Sequence, residues 1–189
     1  MSFEEDISAA LIKLRSNGII LYPTDTIWGI GCDATSQEAV EKIFRIKSRD
    51  EGKSLLILVN SEQMLERYVI DVPEIAYEIT AVTEEPLTII YPRGKNLAKG
   101  VYGDDGSVGI RICNDEFCNQ LISRFRKPIV STSANFSGKP SPGTFSEIEK
   151  DLIESVDYVV KHRQDDRRKH SASPVIKFNS DGTIKIIRK

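Results

Sequence analysis

The apolar residues of this chain come in short runs, each the length of a strand and each closed by a turn residue, with amphipathic helical stretches between them. Ile19-Ile-Leu-Tyr22 is halted by Pro23, and Leu55–Val59, Leu87–Tyr91, Val108–Ile112, Pro128–Ser131 and Val156–Val160 read the same way. Helical spacing covers residues 3–16, where Ile7, Ala10, Leu11 and Leu14 share a face and Asn17-Gly18 ends the pattern. Ser36 can cap a helix whose apolar face is Ala39, Val40, Ile43 and Ile46. Further helices are expected over Ser61–Tyr68, Pro73–Thr83, Glu116–Phe125 and Phe145–Ile153. Pro174–Phe178 and Thr183–Ile187 flank Asn179-Ser-Asp-Gly182, a hairpin turn signal. Strands alternate with helices irregularly and the chain ends in a hairpin. This pattern predicts an α/β (α+β-like) single domain over 1–189, with an open, twisted mixed sheet flanked by helices.

Composition excludes whole classes of function. Hydrophobic residues are 40% and charged residues 29%, so the chain is globular and neither fibrous nor disordered. Lys plus Arg is 26 against 28 Asp plus Glu, a net charge of −2, so any contact with nucleic acid must come from a local patch. No apolar run reaches membrane length and no charged-then-apolar leader is read at the N-terminus, so neither secretion nor a membrane span is expected. Three cysteines cannot all pair, which points to a reducing, cytoplasmic setting. Cys32, Cys113 and Cys118 with His162 and His170 match no zinc spacing, so no protein metal site is expected.

Five segments could carry chemistry. Tyr22-Pro-Thr-Asp-Thr-Ile-Trp-Gly-Ile-Gly-Cys-Asp-Ala34 reads as a strand opening into a loop with two threonine hydroxyls and two glycines. Gly29-Ile-Gly-Cys-Asp-Ala34 also fits G-x-G-x-x-A. The glycines lie several residues past the strand end, however, and not on the tight turn that a dinucleotide needs. Lys47-Ser-Arg49, with Lys53 following, is either ordinary helix-end charge or a phosphate clamp. Arg111 closes the apolar run Val108-Gly-Ile and must find an anion there, either a carboxylate of the chain or one from a substrate. Pro128–Ser141 opens from a strand end into a run of hydroxyls and an amide, either a loop that can hydrogen-bond a nucleotide and its phosphates or a polar turn cluster. Lys161–His170 is a charged loop, most simply solvated and mobile, with contact to RNA or substrate phosphates as the alternative.

Taken in order, Pro23-Thr-Asp-Thr-Ile-Trp-Gly-Ile-Gly-Cys-Asp-Ala34, Lys47-x-Arg49, Pro86-Leu-Thr88, Val108-Gly-Ile-Arg111 and Ser131-Thr-Ser-Ala-Asn-Phe-Ser-Gly138 resemble the YrdC-like family over nearly the whole chain. The length is similar to the short, single-domain bacterial form. The resemblance implies a YrdC/RibB-like fold with a large concave basic cleft. It implies L-threonylcarbamoyladenylate synthesis from L-threonine, bicarbonate and ATP, with diphosphate released. Partner proteins would then carry the threonylcarbamoyl group to an adenosine of tRNA, and direct contact between this chain and tRNA is left open. Magnesium would arrive with ATP, and no organic cofactor is implied.

Carried over residue by residue, the resemblance gives Lys47 and Arg49 to the triphosphate, as catalytic groups, with Lys53 beside them. Ser107, Ser133, Asn135, Ser141 and Arg188 would bind ATP, while Thr26, Arg111 and Ser173 would bind threonine. Thr83-Glu-Glu85 stands where the family often has Trp-Pro-Gly, and Leu55-Leu-Ile-Leu58 stands where longer relatives place a histidine. The readings held against this one are an RNA-binding accessory module without catalysis, a nicotinamide-dependent oxidoreductase, and a carbamoyl-transferring maturation factor.

Overall fold

The computed structural model describes residues 2–48 and 54–189. The chain begins with helix α1 (Phe3–Arg15), then strands β1 (Ile20–Tyr22) and β2 (Gly29–Gly31), helix α2 (Gln37–Lys47) and strand β3 (Leu56–Val59). Helices α3 (Glu62–Leu65) and α4 (Glu74–Val82) lead to β4 (Thr88–Tyr91) and β5 (Val108–Ile112), which α5 (Glu116–Phe125) joins to β6 (Ile129–Ser133). Helix α6 (Lys150–Glu154), β7 (Tyr158–Val159), β8 (Val175–Phe178) and β9 (Ile184–Arg188) complete the chain.

Helix starts follow the capping residues. Ser2 and Glu5 form a reciprocal capping box on α1, Ser36 accepts from the Ala39 N–H on α2, and Asp115 accepts from the Cys118 N–H on α5. Ile7, Ala10, Leu11 and Leu14 are buried as their spacing predicts. Helices α1 and α5 meet edge to face through Phe3 and Phe117, with ring centres 5.7 Å apart. No helix among the described residues is long and apolar enough to cross a membrane. Cys32, Cys113 and Cys118 are all free and buried.

The strands form one mixed sheet in the order β7-β1-β2-β6-β3-β5-β4-β8-β9. The pairs β1–β7, β3–β5 and β4–β8 run parallel, while β2 is antiparallel to both β1 and β6. The open, mixed sheet is the one the sequence predicts.

Several boundaries differ from expectation. The stretch with two glycines is not a loop. Gly29, Ile30 and Gly31 form a buried strand, so neither glycine serves a phosphate turn and the dinucleotide reading falls. The glycines are there because the neighbours are close. A Cβ on Gly31 would stand 2.6 Å from both the Tyr22 ring and the Val130 carbonyl oxygen. The expected helix over Phe145–Ile153 splits into a 3-10 turn (Phe145–Glu147) and α6, because Ile148 and Glu149 take extended backbone angles. Phe145 packs against Trp28 at 4.8 Å between ring centres, and Leu152 stays in the core. Ser61–Tyr68 is helical only over α3, and β6 runs on to Ser133 past the expected end at Ser131.

The close approach at Gly31 gives a direct expectation. Gly31→Ala forces β2 away from Tyr22 and β6 and lowers stability by about 1–3 kcal/mol, the range for overpacking a filled core. The change would be read as a shift in the urea midpoint with an unchanged slope.

Candidate functional site

The site is assembled where the turn after β1, strands β4, β5, β6 and β9, and the residues just before β8 bring polar side chains together. Pro23 stops β1, and the chain turns through residues 24–28 before entering β2. Thr24 organises that turn. Its hydroxyl oxygen accepts from the Thr26 N–H at 3.0 Å, lies 3.0 Å from the Thr26 hydroxyl, and donates to the Ile27 carbonyl at 2.8 Å. Both threonines are buried.

Arg111 reaches this turn from β5. Its Nη2 lies 2.9 Å from Asp25 Oδ1, and the two side chains are only 4% and 9% exposed. The anion that Arg111 requires is therefore supplied by the chain itself. Nη2 also donates to Thr24 Oγ1, and Nη1 donates to Ser173 Oγ, both at 3.4 Å.

Ser173 is the second organising point. Its hydroxyl lies 2.8 Å from that of Thr88 on β4, and its carbonyl accepts from Arg188 Nε and Nη2 at 2.9 and 2.7 Å. Burial and the neighbouring Arg111 guanidinium lower the pKa of Arg188 below its ordinary value. Among the described residues Arg188 has no carboxylate partner.

These side chains border a cleft of about 270 Å³. Of the residues expected at a site, Thr26, Arg111, Ser133, Ser141, Ser173 and Arg188 line it. The others are placed differently. Lys47 is buried, and its ammonium donates to the backbone carbonyls of Ser133 and Asn135 at 2.5 and 2.7 Å, beneath the loop that follows β6. Asn135 does not line the cleft either; its amide donates to the carbonyls of Phe136 and Lys139 and folds that loop on itself. Ser107 lies in the turn before β5, where its N–H donates to Asp105 at 3.1 Å, away from the lining. Lys177 and Ser107 hold the Asp105 carboxyl down at about 2. Arg49 and Lys53 lie outside the described residues.

The lining thus carries two guanidiniums, one of them neutralised by Asp25, among hydroxyls and apolar groups. The expected strongly basic cleft is reduced to Arg188 and Arg111 among the described residues. A larger cavity of about 420 Å³ lies beyond Asp25, but Glu62, Glu84 and Glu85 border it and, among the described residues, no cation does. Carboxylates repel anions, so this cavity suits an anionic ligand less well than the first cleft does. The charged loop 161–170 is not simply solvated, because Arg163 pairs with Asp115 at 2.6 Å.

The residues that the motifs missed lie inside them. Thr24 and Asp25 stand within the first segment, and Thr88 closes Pro86-Leu-Thr88. The demand of Arg111 for an anion was the one signal that could have singled out Asp25.

The family model Sua5/YciO/YrdC, described as "Telomere recombination", matches residues 13–189. A protein of Pseudoalteromonas translucida named threonylcarbamoyl-AMP synthase is 33% identical over 163 residues, 85% of this chain and 87% of that one. One of the same name from Psychromonas ingrahamii is 34% identical over 150 residues, 78% of each chain. Among solved structures, P. abyssi Sua5 complexed with L-threonine superposes with a TM-score of 0.82 at 26% identity, over 94% of this chain and 52% of that chain. This chain therefore spans about half the length of that Sua5. E. coli YciO gives a TM-score of 0.84 over all of this chain and 90% of that one, a likeness of fold at 22% identity.

The buried ion pair sets an expectation of its own. Asp25→Asn leaves the Arg111 charge buried without its counter-ion and destabilises the fold by about 3–5 kcal/mol. Chemical denaturation of the variant beside the parent protein measures this, and an unchanged midpoint would show that Asp25 does not neutralise Arg111.

Proposed function

The chain belongs to the Sua5/YciO/YrdC family, and from that premise we propose that it is a threonylcarbamoyl-AMP synthase, joining L-threonine, bicarbonate and ATP with release of diphosphate. The observation that carries this reading is Arg188. It is a guanidinium at a hydroxyl-lined cleft, beside Arg111, with no carboxylate partner among the described residues. Such a group fits an anionic ligand that several hydroxyls can orient.

The threonine half is the deeper one. Thr26 and Ser173 offer hydroxyls there, and Arg111 faces the threonine carboxylate from its place beside Asp25. Ser133, Ser141 and Arg188 serve the nucleotide. Lys47 and Asn135 support the nucleotide loop from below, and Ser107 steadies the turn leading into β5. Arg49 and Lys53 are assigned to the phosphates on the strength of the motif alone.

The threonine amine adds to bicarbonate, losing water and giving a carbamate. The carbamate oxygen attacks the α-phosphorus of ATP, and the bond to diphosphate breaks with its electron pair leaving on diphosphate. The reacting groups are anions that repel one another, so fixed cations and hydroxyls that hold them in line lower the barrier. Among the described residues no three His, Cys, Asp or Glu gather for a metal, and no carboxylate lines the cleft. Magnesium in this reading comes bound to the ATP phosphates. The reaction is placed in the cytoplasm, in keeping with the free thiols, and its product goes to partner proteins that modify tRNA.

Incubation with ATP, magnesium, L-threonine and labelled bicarbonate tests the reading. Label in an AMP adduct that requires threonine, with matching diphosphate release, is expected. Folded protein that binds ATP yet forms no adduct would shift the assignment to an RNA-binding accessory role. Arg188→Ala is expected to lower kcat/KM for ATP by on the order of a hundredfold, the cost of one electrostatic contact at about 2–4 kcal/mol. Thr88 still holds the Ser173 hydroxyl in that variant, so the fold should persist.

A further inference from the structure

We infer that Arg163 is a positioning residue for the threonine half of the cleft, acting through Thr24; this rests on the synthase reading above. Arg163 does not line the cleft. It sits in the segment between β7 and β8 that ends at Ser173, and its φ of 64° lies in the left-handed region that favours glycine. A non-glycine residue persists there only where its surroundings over-determine it. The side chain supplies that constraint. Nη1 meets Asp115 Oδ2 at 2.6 Å and Nη2 donates to the Thr24 carbonyl at 3.1 Å.

Both partners lead to the site. Asp115 caps α5, directly after the strand that carries Arg111, and accepts from the Cys118 N–H at 3.0 Å. The Thr24 hydroxyl fixes the N–H and hydroxyl of Thr26 and receives Arg111 Nη2. One guanidinium therefore sets the spacing between the start of α5 and the turn that presents Thr26. A planar fork can hold two such partners at fixed angles, whereas an ammonium cannot.

The segment is anchored without Arg163. Asp6 accepts from the N–H groups of Lys161 and His162 at 2.9 and 2.7 Å, and the His162 ring stacks on Phe117 at 5.6 Å. Losing the Arg163 side chain should free the 24–26 turn while leaving the segment docked.

The test measures L-threonine binding by calorimetry, and KM for threonine and for ATP separately, in the wild type, Arg163→Ala, Arg163→Lys, Thr26→Val and the double variant Arg163→Ala/Thr26→Val. Arg163→Ala is expected to weaken threonine binding and raise its KM about tenfold, the size of one lost hydrogen bond, with KM for ATP within about twofold of wild type. Arg163→Lys keeps the Asp115 pair and the melting temperature, yet its threonine constants stay raised several-fold. The double variant is no more than about twofold weaker than Thr26→Val, because both changes act on one path. Threonine constants of Arg163→Lys at the wild-type value, equal losses for both substrates, or independent effects in the double variant would each overturn the inference. If the wild type binds threonine but makes no adduct, the synthase reading falls and the affinity comparison still decides the role of Arg163. If it neither binds nor consumes threonine, both fall.

Discussion

The guanidinium of Arg111 sits at the end of a central strand with its side chain 4% exposed, and a charge so placed must be neutralised where it stands. Asp25 does this from the turn after β1, so the turn cannot take an arbitrary path. It must bring a carboxylate within 2.9 Å of a residue on a strand that is not its neighbour in the sheet. That requirement fixes Thr24 and Thr26 as well, because Thr24 also bonds Arg111. The polar face of the cleft is thus built around one ion pair. Such a pair adds little net stability, but it costs several kcal/mol to break, so it serves geometry more than folding energy.

Close packing makes the same face accessible. Gly29 and Gly31 let β2 lie against Tyr22 and β6, where side chains would force the strands apart. Gly29 itself borders the cleft, and a Cβ there would stand 2.9 Å from the Ser131 hydroxyl. Glycine at that position keeps the cleft floor open. On the far side, Lys47 fastens the loop after β6 to the end of α2 through two backbone carbonyls. A buried ammonium satisfied by carbonyls is a rigid joint, and it holds Ser133 at the lining.

Much of this was legible along the chain, and the failures have common causes. Ser2, Ser36 and Asp115 start helices because capping is a contact over a few residues. The strand at Gly29–Gly31 is not legible in the sequence, because glycine lowers strand propensity and the closeness of Tyr22 and β6 that requires it is a tertiary contact. Thr26, Arg111, Ser133, Ser141, Ser173 and Arg188, to which the family resemblance gives ligand roles, line one cleft. The resemblance carried by Lys47-x-Arg49 implies a phosphate contact for Lys47, but the loop after β6 covers its ammonium, and that contact spans 86 positions of the chain.

By itself the sequence determined the local features: the period of the apolar runs, the helix caps, the closing hairpin turn, and the ordered motifs that mark the family. These depend on neighbours a few positions apart, and a linear reading reaches them. Only the tertiary structure decided which carboxylate meets Arg111, that Lys47 faces inward, and that Arg163 bonds the Thr24 carbonyl. Those contacts join residues far apart in the chain: 87 positions separate Thr24 from Arg111, and 139 separate it from Arg163. Their partners are chosen by the order and packing of the strands, which no local spacing encodes.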